Sequence, residues 1–154
     1  KQFINGVWVD KTALIYQNGK WENMRVYFFK NGNQFADITG GWTKQAGSSN
    51  WSQGSFSITN SELVLSVANS SIRATTAANV NLENIKTLYI KVTKSFDVVG
   101  TWVCSVTVGS LASKTLVTGL NKIDVSSINS GKIVFMAQSD SSNSLNISEV
   151  YGEG

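Results

Sequence analysis

Ten Asp and Glu residues are the natural candidates for proton transfer in this 154-residue chain, because histidine is absent and cysteine occurs once. A glycosidase needs two carboxylates flanking one cleft, one as acid and the other as base or nucleophile. The ten run from Asp10 to Glu153, and no spacing pairs any two of them. The lack of histidine removes the usual general base and the commonest zinc ligand. No Gly-x-Ser-x-Gly nucleophile motif occurs either. The single Cys104 excludes an internal disulfide and any multi-cysteine metal site. On an apolar strand face it is expected to be buried and inert, behaving as a small hydrophobe. No Asp-x-Asp-x-Asp calcium loop is present, although a calcium held by loop carbonyls and one or two carboxylates would leave no trace in sequence. The residues therefore predict a protein without catalysis and without a cofactor.

Non-covalent recognition has better candidates. Sugars expose C–H faces that stack on aromatic rings, while their hydroxyls need amide, carboxylate or guanidinium partners at the edge. Trp51 lies in the polar segment Gln45-Ala46-Gly47-Ser48-Ser49-Asn50-Trp51, with Asn50 and Gln53 beside it. A loop tryptophan costs order without reward unless something binds or covers it. Trp42 follows Gly40-Gly41 and is a second candidate, with plugging of a sandwich end as the competing role. Arg73 stands alone in Ser70-Ser71-Ile72-Arg73-Ala74-Thr75, where it either holds an acidic sugar or hydroxyls through its planar fork or is a solvated strand residue. Asp97 is a further ligand candidate, with turn capping as the alternative. Trp102 shares an alternating apolar face and is expected in the core.

Composition narrows the partners. The net charge is +3, the basic residues are scattered, and no Lys/Arg run marks a nucleic-acid stripe. No apolar run is long enough to span a membrane and no signal peptide is seen. Charged residues make up 15% and apolar ones 42%. Ser, Thr, Asn and Gly fill much of the rest, favouring turns over helix interiors. Proline is absent, so turns depend on Gly and Asn. A chain starting at Lys1 reads as a piece of something longer.

The elements that must hold these residues announce themselves first through repetition. Asn5-Gly6, Asn18-Gly19 and Asn31-Gly32 recur every 13 residues. Asn-Gly is the strongest short hairpin signal, because both central residues of a type I′ turn need positive φ. Phe3, Tyr16 and Phe29 stand two positions before each Asn; Trp8, Trp21 and Gln34 stand three after. In a two-residue hairpin these positions face each other as the closest cross-strand pair. Residues 1–40 are thus predicted to be a β-hairpin repeat with aromatic clamps, the third one degenerate. The polar corners Val9-Asp10-Lys11-Thr12 and Glu22-Asn23-Met24-Arg25 separate the hairpins. A lone hairpin is marginal in water, so these clamps need a partner surface, either the following domain or another copy.

From about residue 55 onward the period is two. Leu63, Leu65 and Val67 share one face, as do Leu88, Ile90 and Val92, with Thr87, Tyr89, Lys91 and Thr93 opposite. Trp102, Cys104, Val106 and Val108 form another apolar face. Ile123 and Val125, then Ile133, Phe135 and Ala137, then Leu145 and Ile147 continue the pattern into Val150-Tyr151. Alternation of this kind gives strands with one wet face, and turn signals between them predict a sandwich of antiparallel sheets. The expected organisation is all-β: the hairpin repeat over 1–40 as stem or docking element, and a jelly-roll β-sandwich over 41–154.

Asn79-Val80-Asn81-Leu82-Glu83-Asn84-Ile85-Lys86-Thr87-Leu88-Tyr89-Ile90 resembles a polar loop leading into a Lys-Thr-Leu strand. Ile123 to Ile133 resembles a penultimate turn into a core strand, and Leu145 to Tyr151 a last strand. On these stretches the second region resembles the galactose-binding-like, carbohydrate-binding jelly rolls found at the ends of phage and prophage tail proteins. Ile4 to Trp8, Ile15 to Trp21 and Asp37 to Trp42 resemble the small tryptophan hairpins that precede such domains. Together the likenesses cover most of the chain. They imply binding of a bacterial cell-surface polysaccharide or other glycan, on a virion tail or cell surface, and supply no catalytic residue. The competing expectation is a structural module that assembles as a homo-oligomer, a trimer for instance, through its hairpins, without a ligand of its own. Neither expectation involves nucleic acid or a membrane.

Overall fold

The computed structural model describes residues 25–30 and 41–154 throughout, and elsewhere the backbone of residues 2–4, 7–9, 14–17, 19–23 and 33–34. Three hairpins open the chain. They are β1 (Gln2–Ile4) with β2 (Val7–Val9), β3 (Leu14–Gln17) with β4 (Lys20–Asn23), and β5 (Val26–Lys30) with β6 (Asn33–Gln34). Phe3 is paired with Trp8, Tyr16 with Trp21 and Phe29 with Gln34, the register that two-residue Asn-Gly turns dictate. Gly19 sits at φ +75°, as the second centre of such a turn requires. The side-chain clamps expected at Phe3, Trp8, Tyr16 and Trp21, and residues 10–12 and 24 of the two polar corners, lie outside the described residues.

The strands that follow are β7 (Trp42–Ala46), β8 (Ser52–Gln53), β9 (Ser55–Ile58), β10 (Leu63–Val67), β11 (Ser70–Thr76), β12 (Val80–Asn81), β13 (Thr87–Lys94), β14 (Val103–Val108), β15 (Lys114–Thr115), β16 (Gly119–Asp124), β17 (Ser130–Gly131), β18 (Ile133–Ser139) and β19 (Asn143–Glu153). One sheet runs β16-β13-β19-β10-β9 and takes in β5 and β6; the other runs β15-β14-β18-β11-β7, with β8 beside β11. Strands β12 and β17 form a small separate ribbon. The ladders are antiparallel except the short β8–β11 pairing. The protein is therefore all-β, with two antiparallel sheets enclosing one core.

Period-two burial builds that core. Leu63, Leu65, Leu88, Ile90, Cys104, Ile133, Phe135, Ala137, Leu145 and Ile147 are fully buried. Their neighbours Lys91, Thr93 and Lys132 are exposed. Each such Leu, Ile or Phe contributes about 1.5–3 kcal/mol by leaving water. The expectation for Cys104 holds: it is a free, buried thiol, and burial pushes its pKa up. Trp102 is only half-buried, just ahead of β14, with its ring edge-on to Phe96 at 6.3 Å.

The sequence shows a polar segment over residues 45–51 and no strand signal just before it, yet Trp42–Ala46 is a strand. As the edge of its sheet β7 buries only Trp42, so it lacks the apolar alternation that marks inner strands. The third hairpin also departs from the simple repeat. Strand β5 pairs with the C-terminal half of β19, while β10 occupies the other half of the same edge. Phe29 faces Val150 and Tyr27 faces Tyr151, so Phe28 is an extra residue, a β-bulge. The bulge breaks parity: consecutive Phe28 and Phe29 are both fully buried, while Tyr27 and Lys30 share the outer face. The sandwich core thus takes in residues upstream of 41. Phe29 finds its packing in the core, which removes the need for a tryptophan at position 34.

A row of rings secures β5 from outside. Tyr27, Tyr151 and Tyr89 stand side by side on β5, β19 and β13, with centroids 5.5 and 5.0 Å apart. Lys30 lies over Tyr27, Arg25 over Tyr151 and Lys122 over Tyr89, at 4.6, 4.5 and 5.7 Å. Arg25 Nε also donates to Glu153 Oε1 at 3.0 Å. Hydrogen bonding to Tyr27 and then to Glu153 pushes the guanidinium pKa further up, and burial pushes that of Tyr151 up.

Candidate functional site

The loop between β7 and β9 carries three of the six sequence candidates, Asn50, Trp51 and Gln53, and its shape follows from one close approach. A Cβ on Gly47 would lie 2.2 Å from Ser71 Oγ and 2.5 Å from the Ser71 carbonyl carbon, so only glycine lets the loop settle on β11. Ser48 N then donates to Ser71 Oγ at 3.1 Å, and Gly54 N to Ser71 O at 3.0 Å. Inside the loop, Gly47 N donates to Gln53 Oε1 at 3.1 Å, and Trp51 N to Ser48 O at 3.1 Å. Arg73 reaches over from β11, its Nη1 donating to Ala46 O at 2.9 Å and Gly47 O at 3.3 Å. These bonds fix the segment that presents Asn50 and Trp51.

Four of the six sequence candidates therefore share one loop and its support, in unequal roles. Asn50 is exposed and Trp51 half-buried, so the indole is less free than a bare loop residue. Gln53 is exposed, but its carbonyl oxygen is spent on Gly47. Arg73 braces the loop through backbone carbonyls, which is neither of the roles that its sequence context suggested. The other two lie apart. Trp42 is a core residue: it is 6% exposed, stacks on Phe135 at 5.4 Å, and donates through Nε1 to Phe28 O at 3.1 Å. It seals the region where β7 meets β5, so the candidate contact at Trp42 is corrected to the plugging role. Asp97 is exposed, makes no side-chain hydrogen bond among the described residues and does not line the groove below.

Beside the loop runs an open groove of about 570 Å³. One wall is Ser52 to Ser55; the other walls come from the β10–β11 turn, the start of β19 and Lys94 at the end of β13. Ser66, Ser70, Ser142 and Ser144 add hydroxyls, and Asn143 an amide. Asn69, at φ +47°, makes the tight turn that brings Ser66 and Ser70 to one wall. Several groups are tied internally: Ser70 Oγ accepts from Ala68 N at 2.8 Å, Asn143 Nδ2 donates to Ser139 Oγ at 2.8 Å, and the Ser144 hydroxyl bonds Asn146. The hydroxyls of Ser52, Ser55, Ser66 and Ser142 have no partner among the described residues. Such a wall can donate to and accept from a polyol. Sequence reasoning missed it apart from Gln53. The one available signal was the run Ser139-Asp140-Ser141-Ser142-Asn143-Ser144, too common a composition to mark a site.

A second cleft of about 410 Å³ lies on the β16-β13-β19 part of the first sheet, against Arg25, Lys91, Leu120, Glu149 and Tyr151. Its guanidinium is already engaged by Glu153 and the Tyr151 ring. Asp124 has its pKa lowered because the Ser126 hydroxyl and amide both donate to its carboxylate, which makes it a turn cap. Among the described residues no three or more His, Cys, Asp or Glu gather to hold a metal ion. No protein-family model, curated protein or solved structure matches this chain.

Proposed function

We propose that the chain is a non-catalytic glycan-binding module, of the kind that a phage tail or a bacterial surface protein displays toward cell-surface polysaccharide. The observation carrying this reading is the serine-lined groove with Trp51 one residue from its wall. Its size lies within the range of small-ligand sites, and its unpartnered hydroxyls match the donor and acceptor pattern of a sugar edge. The half-buried indole offers a ring face for stacking. A galactose-binding-like jelly roll is the finer fold that this reading carries with it, and a virion tail or outer surface the setting.

The test is a titration of the full chain against purified bacterial polysaccharides and whole cells, with Trp51→Ala and Ala68→Trp as variants. Ala68 is exposed in the groove-lining turn, so a bulky ring there blocks the groove without entering the core. At least tenfold weaker binding is expected for both. Full binding by Trp51→Ala removes Trp51 from the site. Absence of wild-type binding to any glycan or cell removes the function.

One observation favours a second reading, a structural module that assembles with copies of itself. The large apolar side chains exposed among the described residues are Val98, Val99 and Val117, on two loops joined by a Ser95–Thr118 hydroxyl bond of 2.8 Å, and Leu120 near the start of β16. Gathered apolar exposure marks contact surfaces. Sedimentation across a concentration series separates the readings: a strict monomer that binds glycan excludes the second, and a stable trimer without ligand excludes the first.

A further inference from the structure

The groove's electrostatics are one-sided. Among its lining residues Lys94 alone carries a charge, and no carboxylate shares the wall. The Lys94 ammonium has no ion-pair partner among the described residues. Carboxylates on adjoining segments are turned to other work. Glu62 accepts from Asn146 Nδ2 at 2.8 Å and from the Thr93 hydroxyl, and Asp140 accepts from Ser141 Oγ at 3.2 Å. A neutral sugar needs both donors and acceptors, which the serine hydroxyls supply on their own. An ammonium only donates, with three protons on a compact charge. In a wall otherwise made of hydroxyls and amides it is the one group whose natural complement is an anion.

Resting on the glycan-binding reading, we propose that the groove selects acidic saccharides, seating a carboxylate or phosphate oxygen at Lys94 while neighbouring sugar hydroxyls meet the serine wall. Two polymer chemistries bring that charge, uronate residues and phosphodiester-linked polyols, and the ammonium serves either. The chain's net charge of +3 adds a weak long-range attraction of the same sign.

The experiment uses the full chain and three probes: an oligogalacturonate, the same oligosaccharide with its carboxyls reduced to alcohols, and a poly(glycerol phosphate). Calorimetric titration is run for wild type, Lys94→Gln and Lys44→Gln. Lys94 and Lys44 are both exposed, so neither change is expected to move the unfolding midpoint, and Lys44 lies on β7 away from the groove lining. At least one acidic probe binds wild type about tenfold more tightly than the reduced one, the difference expected for one charge-assisted hydrogen bond. Lys94→Gln removes that preference and leaves affinity for the reduced probe unchanged, whereas Lys44→Gln keeps it. The stronger of the two acidic probes names the source of the charge. Equal wild-type affinity for acidic and reduced probes, or an acidic preference that survives Lys94→Gln, overturns the inference and leaves glycan binding standing. Equal weakening by Lys44→Gln overturns it as unspecific attraction. No binding of any probe, with none to other glycans, overturns the inference and the function together.

Discussion

Replacing Phe28 or Phe29 by alanine in the full chain tests whether the third hairpin belongs to the sandwich or merely precedes it. Both rings have no exposed surface, and the bulge at Phe28 allows two consecutive residues to point inward. Truncation removes the transfer free energy of each ring and leaves a cavity that neighbours fill only partly, about 3–5 kcal/mol per site. The backbone cost of ordering β5 is common to wild type and variant, so it cancels. Net stability of an ordinary domain is about 5–15 kcal/mol, so either substitution consumes a large share of it. For a chain of this size the midpoint falls by roughly 6–20 °C, at about 2–4 °C per kcal/mol. Tyr27→Ala is the internal comparison. Its ring is half-buried on the outer face against Tyr151, and about 1 kcal/mol is expected for the lost ring pair. The assay is urea unfolding followed by tryptophan fluorescence, with the slope checked for two-state behaviour. Losses below about 1 kcal/mol for both phenylalanines would refute the reasoning and make β5 a peripheral appendage.

Trp42→Phe keeps a ring against Phe135 but deprives Phe28 O of its donor, so a loss of about 1–3 kcal/mol is expected in the same unfolding assay, with glycan affinity unchanged. Tyr151 has its pKa raised by burial, so the fold favours the neutral phenol. That contribution is complete below the unfolded tyrosine value of about 10 and is lost as pH rises through the folded value. Tyr151→Phe should therefore flatten part of the stability loss seen by thermal melts between about pH 9 and 11. Cys104 is buried with a raised pKa, so an aromatic disulfide reagent should label it in urea and leave the folded protein untouched at pH 8.

What could be read from the residues was whatever a local rule governs. Asn-Gly turns of two residues fix register outright, and the three pairs at Phe3, Tyr16 and Phe29 fall where the spacing puts them. Strict alternation identifies inner strands because a one-residue slip would drive every side chain to the other face. Hence Leu63, Ile90, Val106 and Leu145 were legible as core. Strand β7 was not, because an edge strand with four exposed residues carries no alternation. The bulge at Phe28 was invisible for a related reason. Tyr27-Phe28-Phe29-Lys30 fits a regular clamp until β19, some 120 residues downstream, supplies the partner that breaks parity.

The groove illustrates the same division at the level of function. Its hydroxyls come from Ser52–Ser55, the β10–β11 turn and the start of β19, and none of these segments has a spacing rule that points to the others. They meet because β10 pairs with β19 on one side and β9 on the other, and because Gly47 lets the preceding loop lie flat on β11. Arg73 makes the point from the opposite direction. Its isolation among Ser, Thr and Ala left open a ligand contact or a solvated strand position, yet its Nη1 donates to the Ala46 and Gly47 carbonyls, holding the wall that Gln53 and Ser52 present. A guanidinium that satisfies orphan carbonyls rigidifies the loop and keeps Trp51 at a fixed distance from the hydroxyl wall. A binding surface of weak individual contacts needs that rigidity, because each immobilised side chain otherwise costs about 0.5–1.5 kcal/mol at the moment of association. On the proposed glycan-binding reading Arg73 would serve recognition without touching the ligand, and Arg73→Met should weaken glycan binding through loop order while leaving any acidic preference at Lys94 intact.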